Sequence, residues 1–174
     1  MPNRDSLLQE FLTSLAEAFR ARDVGPDATA ALDKICDAVR TPRPRGLGAP
    51  RRLPVCRHLT EAVATAHAAS APVARIADAF VALEPSLAWA PRAADGPFAS
   101  DNWLEGHANT TIVGPRGLED RNDLTIGASL LAPHVRYPDH SHSPEEVYFV
   151  LSPGRFQHGD SGWFEPGIGG VVAP

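Results

Sequence analysis

The feature that most constrains this chain is a change of hydrophobic rhythm near residue 100. Before it, apolar residues recur every three or four positions. After it, they come in short runs divided by turn residues. A helical period does not sit in a sheet, and an alternating one does not sit in a helix. The first half is therefore expected to be helical and the second half stranded. In DSLLQEFLTSLAEAFRARD, Leu7, Leu8, Phe11, Leu12, Leu15 and Phe19 form a one-faced stripe. GPDATAALDKICDAVR offers Pro26 in a first turn, with Leu32, Ile35, Cys36 and Val39 on one face. Two more helices are expected, at 58–70 and at 72–83, the latter with Val73, Ile76, Ala77, Phe80 and Val81 inward. TPRPRGLGAPRRLP is a break, and its basic cluster reads as a solvated connection. LEPSLAWAPRAADGPF closes the helical region with prolines.

The later runs are NTTIVGP, LTIGASLLAP, EEVYFVLSPG, RFQHGD, SGWFEPG and GGVVAP. Spacings of roughly 8–14 residues point to an antiparallel sandwich or barrel. No helical pattern separates them, so a doubly wound sheet is not expected. The expected fold class is α+β: a helical layer over 1–99 packed on a small antiparallel β-barrel over 100–174.

A length of 174 residues allows one domain with a real core. A net charge of −5 argues against a nucleic-acid partner, whose footprint would be basic. No stretch reaches the ~20 apolar residues of a membrane span, and no secretory leader is visible. Cys36 and Cys56 stand in no motif and read as reduced thiols of a cytoplasmic protein. Exposed strand edges and the N-terminal helices leave room for a homodimer.

The chemistry gathers in YPDHSHSPEEVYFVLSPG, residues 137–154. His140, His142, Glu146 and Tyr148 share parity, so on an extended segment they face one side. Val147, Phe149 and Leu151 face the other. Two imidazoles and a carboxylate suit a divalent ion such as Zn²⁺, Fe²⁺ or Mn²⁺. The same residues also suit a polar loop running into a strand.

His140-x-His142-x3-Glu146 resembles the first motif of the cupin superfamily, a double-stranded β-helix barrel. His134 stands where that motif usually opens with glycine, and Gly154 falls one residue late. YPDHSHSPEEVYFVLS, DNWLEGHANTTIVGP and GWFEPGIGG are together similar to the cupin-type dimethylsulfoniopropionate (DMSP) lyases of the DddQ group. The resemblance implies a further histidine ligand and final strands beyond Pro174, so the barrel is expected to be truncated in this sequence.

It also implies β-elimination of DMSP to dimethyl sulfide and acrylate. His140, His142 and Glu146 would hold the metal, which acts as a Lewis acid on the substrate carboxylate. Tyr148 would be the general base. Tyr137 is the rival base or a partner of the carboxylate. Trp103 and Trp163 are candidates for the sulfonium pocket, because a permanent cation favours aromatic faces. His107 would support the substrate site. The competing readings are an Fe²⁺-dependent dioxygenase on the same barrel, and a non-catalytic cupin-like binding module or fragment.

Overall fold

The computed structural model describes residues 4–22, 24–92, 96–141 and 145–173. Among the described residues, five α-helices carry the earlier part of the chain: α1 (Ser6–Arg20), α2 (Pro26–Val39), α3 (Leu59–His67), α4 (Ala71–Leu83) and the single turn α5 (Trp103–Gly106). Four strands follow: β1 (His107–Val113), β2 (Ile126–Leu131), β3 (Tyr148–Phe149) and β4 (Val171–Val172). β1 pairs antiparallel with β2, and β3 antiparallel with β4. The architecture is mixed helix and strand with small antiparallel sheets. Among the described residues the strands do not close the expected barrel. Two-residue strands supply too few backbone pairs to propagate a ladder, and the Pro- and Gly-rich runs between them interrupt it. No described helix is long and apolar enough to cross a membrane.

The described residues fall into two compact units. One comprises Arg43–Leu59 and Glu84–Ser143, and the other Asn3–Pro42, Thr60–Leu83 and Pro144–Pro174. Both halves of the sequence, 1–99 and 100–174, contribute to both units.

The helix-rich unit follows its apolar stripes. Asp5 caps α1 by accepting from the Leu7 and Leu8 amides at 2.9 and 3.4 Å. Leu8, Phe11, Leu12 and Phe19 are buried on one face of α1. α4 answers with Val73, Ile76, Ala77 and Phe80, and the Phe11 and Phe80 rings lie 6.3 Å apart. Two expected core residues face outward: Leu7 is 42 % and Val81 49 % exposed. Each sits beside a buried neighbour, Leu8 or Phe80, that takes the inward direction on a 3.6-residue turn. β3 joins this core through one side only. Phe149 and Leu151 pack against Ala66, Val73 and Ala77, and Phe149 meets Phe19 edge-on at 5.0 Å.

The other unit has a more polar interior. Val55, Leu87, Trp89, Trp103, Ala108 and Ile112 form its apolar centre. Asn109 of β1 pairs with Ser129 of β2 on one edge, and Ala90 makes an isolated antiparallel bridge to it on the other. Buried among these are charges. Glu119 and Arg121 are 1 % and 6 % exposed and lie 3.4 Å apart. Arg121 also grips Asp123 with two bonds of 2.7 Å. That grip holds the Asp123 carboxyl down at about 2. His134, with φ 63°, adopts the left-handed backbone that glycine takes most readily.

Candidate active site

Tyr137, His140, Trp103 and His107 come together in the β1–β2 unit. The Trp103 and His107 rings stack face to face at 3.4 Å and 6°. Tyr137 meets Trp103 edge-on at 4.6 Å, and His140 lies 5.0 Å from Tyr137. α5 and the start of β1 create this stack. One helical turn brings residue 103 over residue 107, where the chain becomes extended.

His107 is a staple. The Arg92 amide donates to its Nε2 at 2.7 Å, so its hydrogen resides on Nδ1. That Nδ1 donates to the Trp103 carbonyl oxygen at 2.6 Å. The Trp103 indole N–H donates to the Arg92 carbonyl oxygen at 3.2 Å. The backbone of Arg92 is thereby held at both its N–H and its C=O. His107 and Trp103 are each 1 % exposed. The sequence reading made Trp103 a candidate for the sulfonium pocket and His107 a support of the substrate site. In the fold, both ring nitrogens of His107 serve backbone groups, and the Trp103 face is covered by the imidazole.

The Tyr137 hydroxyl is the focus of this region. Arg92 Nη1 donates to it at 3.1 Å and Asn109 Nδ2 at 3.2 Å. The Arg92 guanidinium also lies 5.7 Å over the Tyr137 ring. With two donors on its oxygen, the phenol keeps its own hydrogen for another acceptor. Neither Arg92 nor Asn109 stands out in the sequence. Arg92 lies in a proline-rich break, and Asn109 is one polar residue in a strand. The only sequence signal was parity, which puts Asn109 on the same face of β1 as His107.

His140 is exposed, and its Nδ1 lies 3.0 Å from the Pro138 carbonyl oxygen. A carbonyl can only accept, so Nδ1 carries a hydrogen. His142 lies outside the described residues. Among the described residues no three His, Cys, Asp or Glu side chains form a metal-sized group.

Glu146, Tyr148 and Trp163 belong to the helix-rich unit. Glu146 and Tyr148 are half-buried. Tyr148 pairs with Val172 across the β3–β4 ladder, and its ring lies 6.3 Å from Phe156. Phe149, the next residue, points into the helical core. The period-two reading of this segment therefore holds where it was firmest: Tyr148 faces away from the apolar side. Trp163 is 43 % exposed, with the Arg155 guanidinium 5.7 Å over its ring.

Comparison with known proteins adds the family. The fold is shared with a solved chain from the crystal structures of DMSP lyases RdDddP and RnDddQII. The two are 22 % identical, with a TM-score of 0.69 over 97 % of this chain and 80 % of that one. No curated protein matches the chain. The family model described as "Dimethlysulfonioproprionate lyase" matches residues 27–173. That span includes every candidate residue from Arg92 to Trp163, and the chain belongs to the DMSP lyase family, an enzyme of the lyase class.

Proposed function

We propose that this enzyme cleaves DMSP to dimethyl sulfide, acrylate and a proton by metal-assisted β-elimination. The observation that carries the reading is the Tyr137 hydroxyl, held by Arg92 and Asn109 with its hydrogen left to donate, inside a chain of this family. Such a donor suits a carboxylate, one of the two charged ends of the substrate.

The donor chemistry fits a metal. A histidine ligand ordinarily donates its second ring N–H to a carbonyl or carboxylate, as His140 does to Pro138. His140, His142 and Glu146 would hold a divalent ion, with Zn²⁺, Fe²⁺ and Mn²⁺ all compatible. When bound, the ion supplies Lewis-acid stabilisation of charge on the substrate carboxylate.

The remaining steps belong to the chain's own residues. Tyr148, acting as the phenolate, takes the α-proton at its phenolic oxygen and becomes the neutral phenol. The electron pair of that C–H bond becomes the new Cα=Cβ bond. The Cβ–S bond breaks, and its pair leaves on sulfur as neutral dimethyl sulfide. Tyr137 donates its hydrogen to a carboxylate oxygen and keeps the acid end in place. Trp163, half-exposed, is the candidate for the sulfonium, which would have to meet the ring away from the side that Arg155 covers. The antiparallel pairing and the shared fold support a cupin barrel as the scaffold.

The test is headspace dimethyl sulfide from the purified chain given DMSP under argon. Runs with and without added Mn²⁺, Fe²⁺ or Zn²⁺ are compared with a His140→Ala variant. Metal-stimulated release without O₂, abolished in the variant, is the expected result. No release in any run, with metal bound, defeats the lyase reading.

A further inference from the structure

The guanidinium of Arg92 has a place that the elimination chemistry alone does not demand. It donates to the Tyr137 hydroxyl at 3.1 Å and lies 5.7 Å over the same ring. Its backbone is held on both sides, by His107 at the amide and by Trp103 at the carbonyl. Those two rings are stacked and buried, so they form a rigid bracket. A long side chain whose root is fixed, and whose head both bonds and covers one tyrosine, loses little further freedom on meeting a ligand.

The charge matters as much as the bonds. DMSP is a zwitterion, with a carboxylate at one end and a sulfonium at the other. A cation beside Tyr137 attracts the first and repels the second. Tyr137 by itself would not separate the two ends well. Its hydroxyl suits the carboxylate, but its ring face suits a sulfonium. With a guanidinium over that face, the sulfonium is disfavoured there and the hydroxyl becomes the favoured group for recognition.

We infer that Arg92 is a positioning and specificity-determining residue: bracketed by His107 and Trp103, it aims the Tyr137 hydroxyl and sets which end of a zwitterionic sulfonium acid this pole accepts. The inference rests on the reading that Tyr137 meets the substrate carboxylate. Arg92 acts through Tyr137, and His107 acts through Arg92.

The experiment separates the two ends of the substrate. Acrylate carries the carboxylate without a sulfonium. Trimethylsulfonium carries the sulfonium without a carboxylate. Binding of each is measured by calorimetry on the metal-loaded wild-type chain and on Arg92→Gln, Arg92→Lys, Tyr137→Phe and the Arg92→Gln/Tyr137→Phe double variant. Far-UV circular dichroism melts accompany each protein. Arg92→Gln is expected to weaken acrylate at least tenfold and to leave trimethylsulfonium unchanged or tighter. Arg92→Lys recovers part of the loss, because it keeps the charge without the planar fork. The double variant loses less than the product of the single losses, since the two residues act in series. In turnover, KM for DMSP rises in Arg92→Gln more than kcat falls.

Equal acrylate binding in wild type and Arg92→Gln overturns the inference. So does a parallel loss of both probes, which would make Arg92 merely structural. So does independent multiplication of the two single effects. If wild type releases no dimethyl sulfide while acrylate binding still depends on Arg92, the lyase reading falls and the inference about Arg92 stands. If dimethyl sulfide is released but Arg92→Gln changes neither KM nor acrylate binding, the reverse holds. A wild type that neither turns over nor binds acrylate defeats both.

Discussion

Tyr137 and Tyr148 stand eleven positions apart in one motif-rich segment, yet the fold treats them in opposite ways. Tyr137 is placed by polar contacts: two donors on its hydroxyl, an indole against its ring edge and a guanidinium over its face. Tyr148 is placed by its neighbour. Phe149 is anchored in the helical core, and the strand period turns Tyr148 the other way. The first arrangement fixes where an oxygen points. The second fixes only which side of a ribbon it leaves from. A residue that must recognise a static carboxylate gains from the first. A base that must follow a proton gains from the reach of the second.

The largest effect that bears on this contrast is on turnover. Tyr148→Phe is expected to lower dimethyl sulfide release by about 10²- to 10⁴-fold, the usual contribution of a general base. Tyr137→Phe is expected to act chiefly on KM, by about 10-fold, the scale of one lost hydrogen bond. Steady-state kinetics on the two variants decide the matter. If Tyr137→Phe removes turnover and Tyr148→Phe spares it, the roles are the reverse of those proposed.

The next effects concern the polar interior of the unit that holds Tyr137. Arg121→Met takes the guanidinium away from the buried Glu119 carboxylate, and is expected to cost about 3–5 kcal/mol in urea unfolding. A loss below ~1 kcal/mol would mean that the pair is no structural element. His107→Leu leaves the Arg92 amide and the Trp103 carbonyl without their partner, and is expected to cost ~2–3 kcal/mol. It should also raise KM for DMSP, because Arg92 loses its bracket. Unchanged KM with lowered stability would cut the link between the staple and the tyrosine.

The smallest effect is in acid. The bonds from Arg121 push the Asp123 carboxyl from its ordinary 3.8 down to about 2. Its folded value lies below its unfolded one, so its stabilisation is present above about pH 4 and is lost as pH falls through about 2. Asp123→Asn should therefore lower stability slightly at pH 7 and flatten the loss between pH 4 and pH 2. An unchanged acid limb in chemical unfolding would show that the grip on Asp123 contributes nothing.

Much of this molecule was legible before any fold was seen. The stripes of α1 and α4 named their own buried faces, apart from Leu7 and Val81 at the stripe margins. Pro26 marked the start of α2. The side from which Tyr148 leaves its strand followed from counting by two. These are local matters. Helical period, strand period and capping depend on residues within a few positions of one another, so the chain carries them in plain order.

The tertiary structure decided the rest. Trp103 read as a candidate for the sulfonium pocket, because a permanent cation favours aromatic faces, and His107 as a support of the substrate site. Their burial and their bonds to the Arg92 backbone depend on a segment that returns from a proline-rich break. Arg92 read as part of that break and Asn109 as one polar strand residue. They became partners of Tyr137 only when residues 28 and 45 positions apart closed on one hydroxyl. The short strands are of the same kind. Alternation foretold where they would lie, but ladder length depends on how partners meet across loops. By itself the sequence determined the elements, their apolar faces and the family motif, all set by near neighbours. Which polar groups meet was decided by long-range closure, because a hydrogen bond needs its partner within about 3 Å and sequence order carries no such distance.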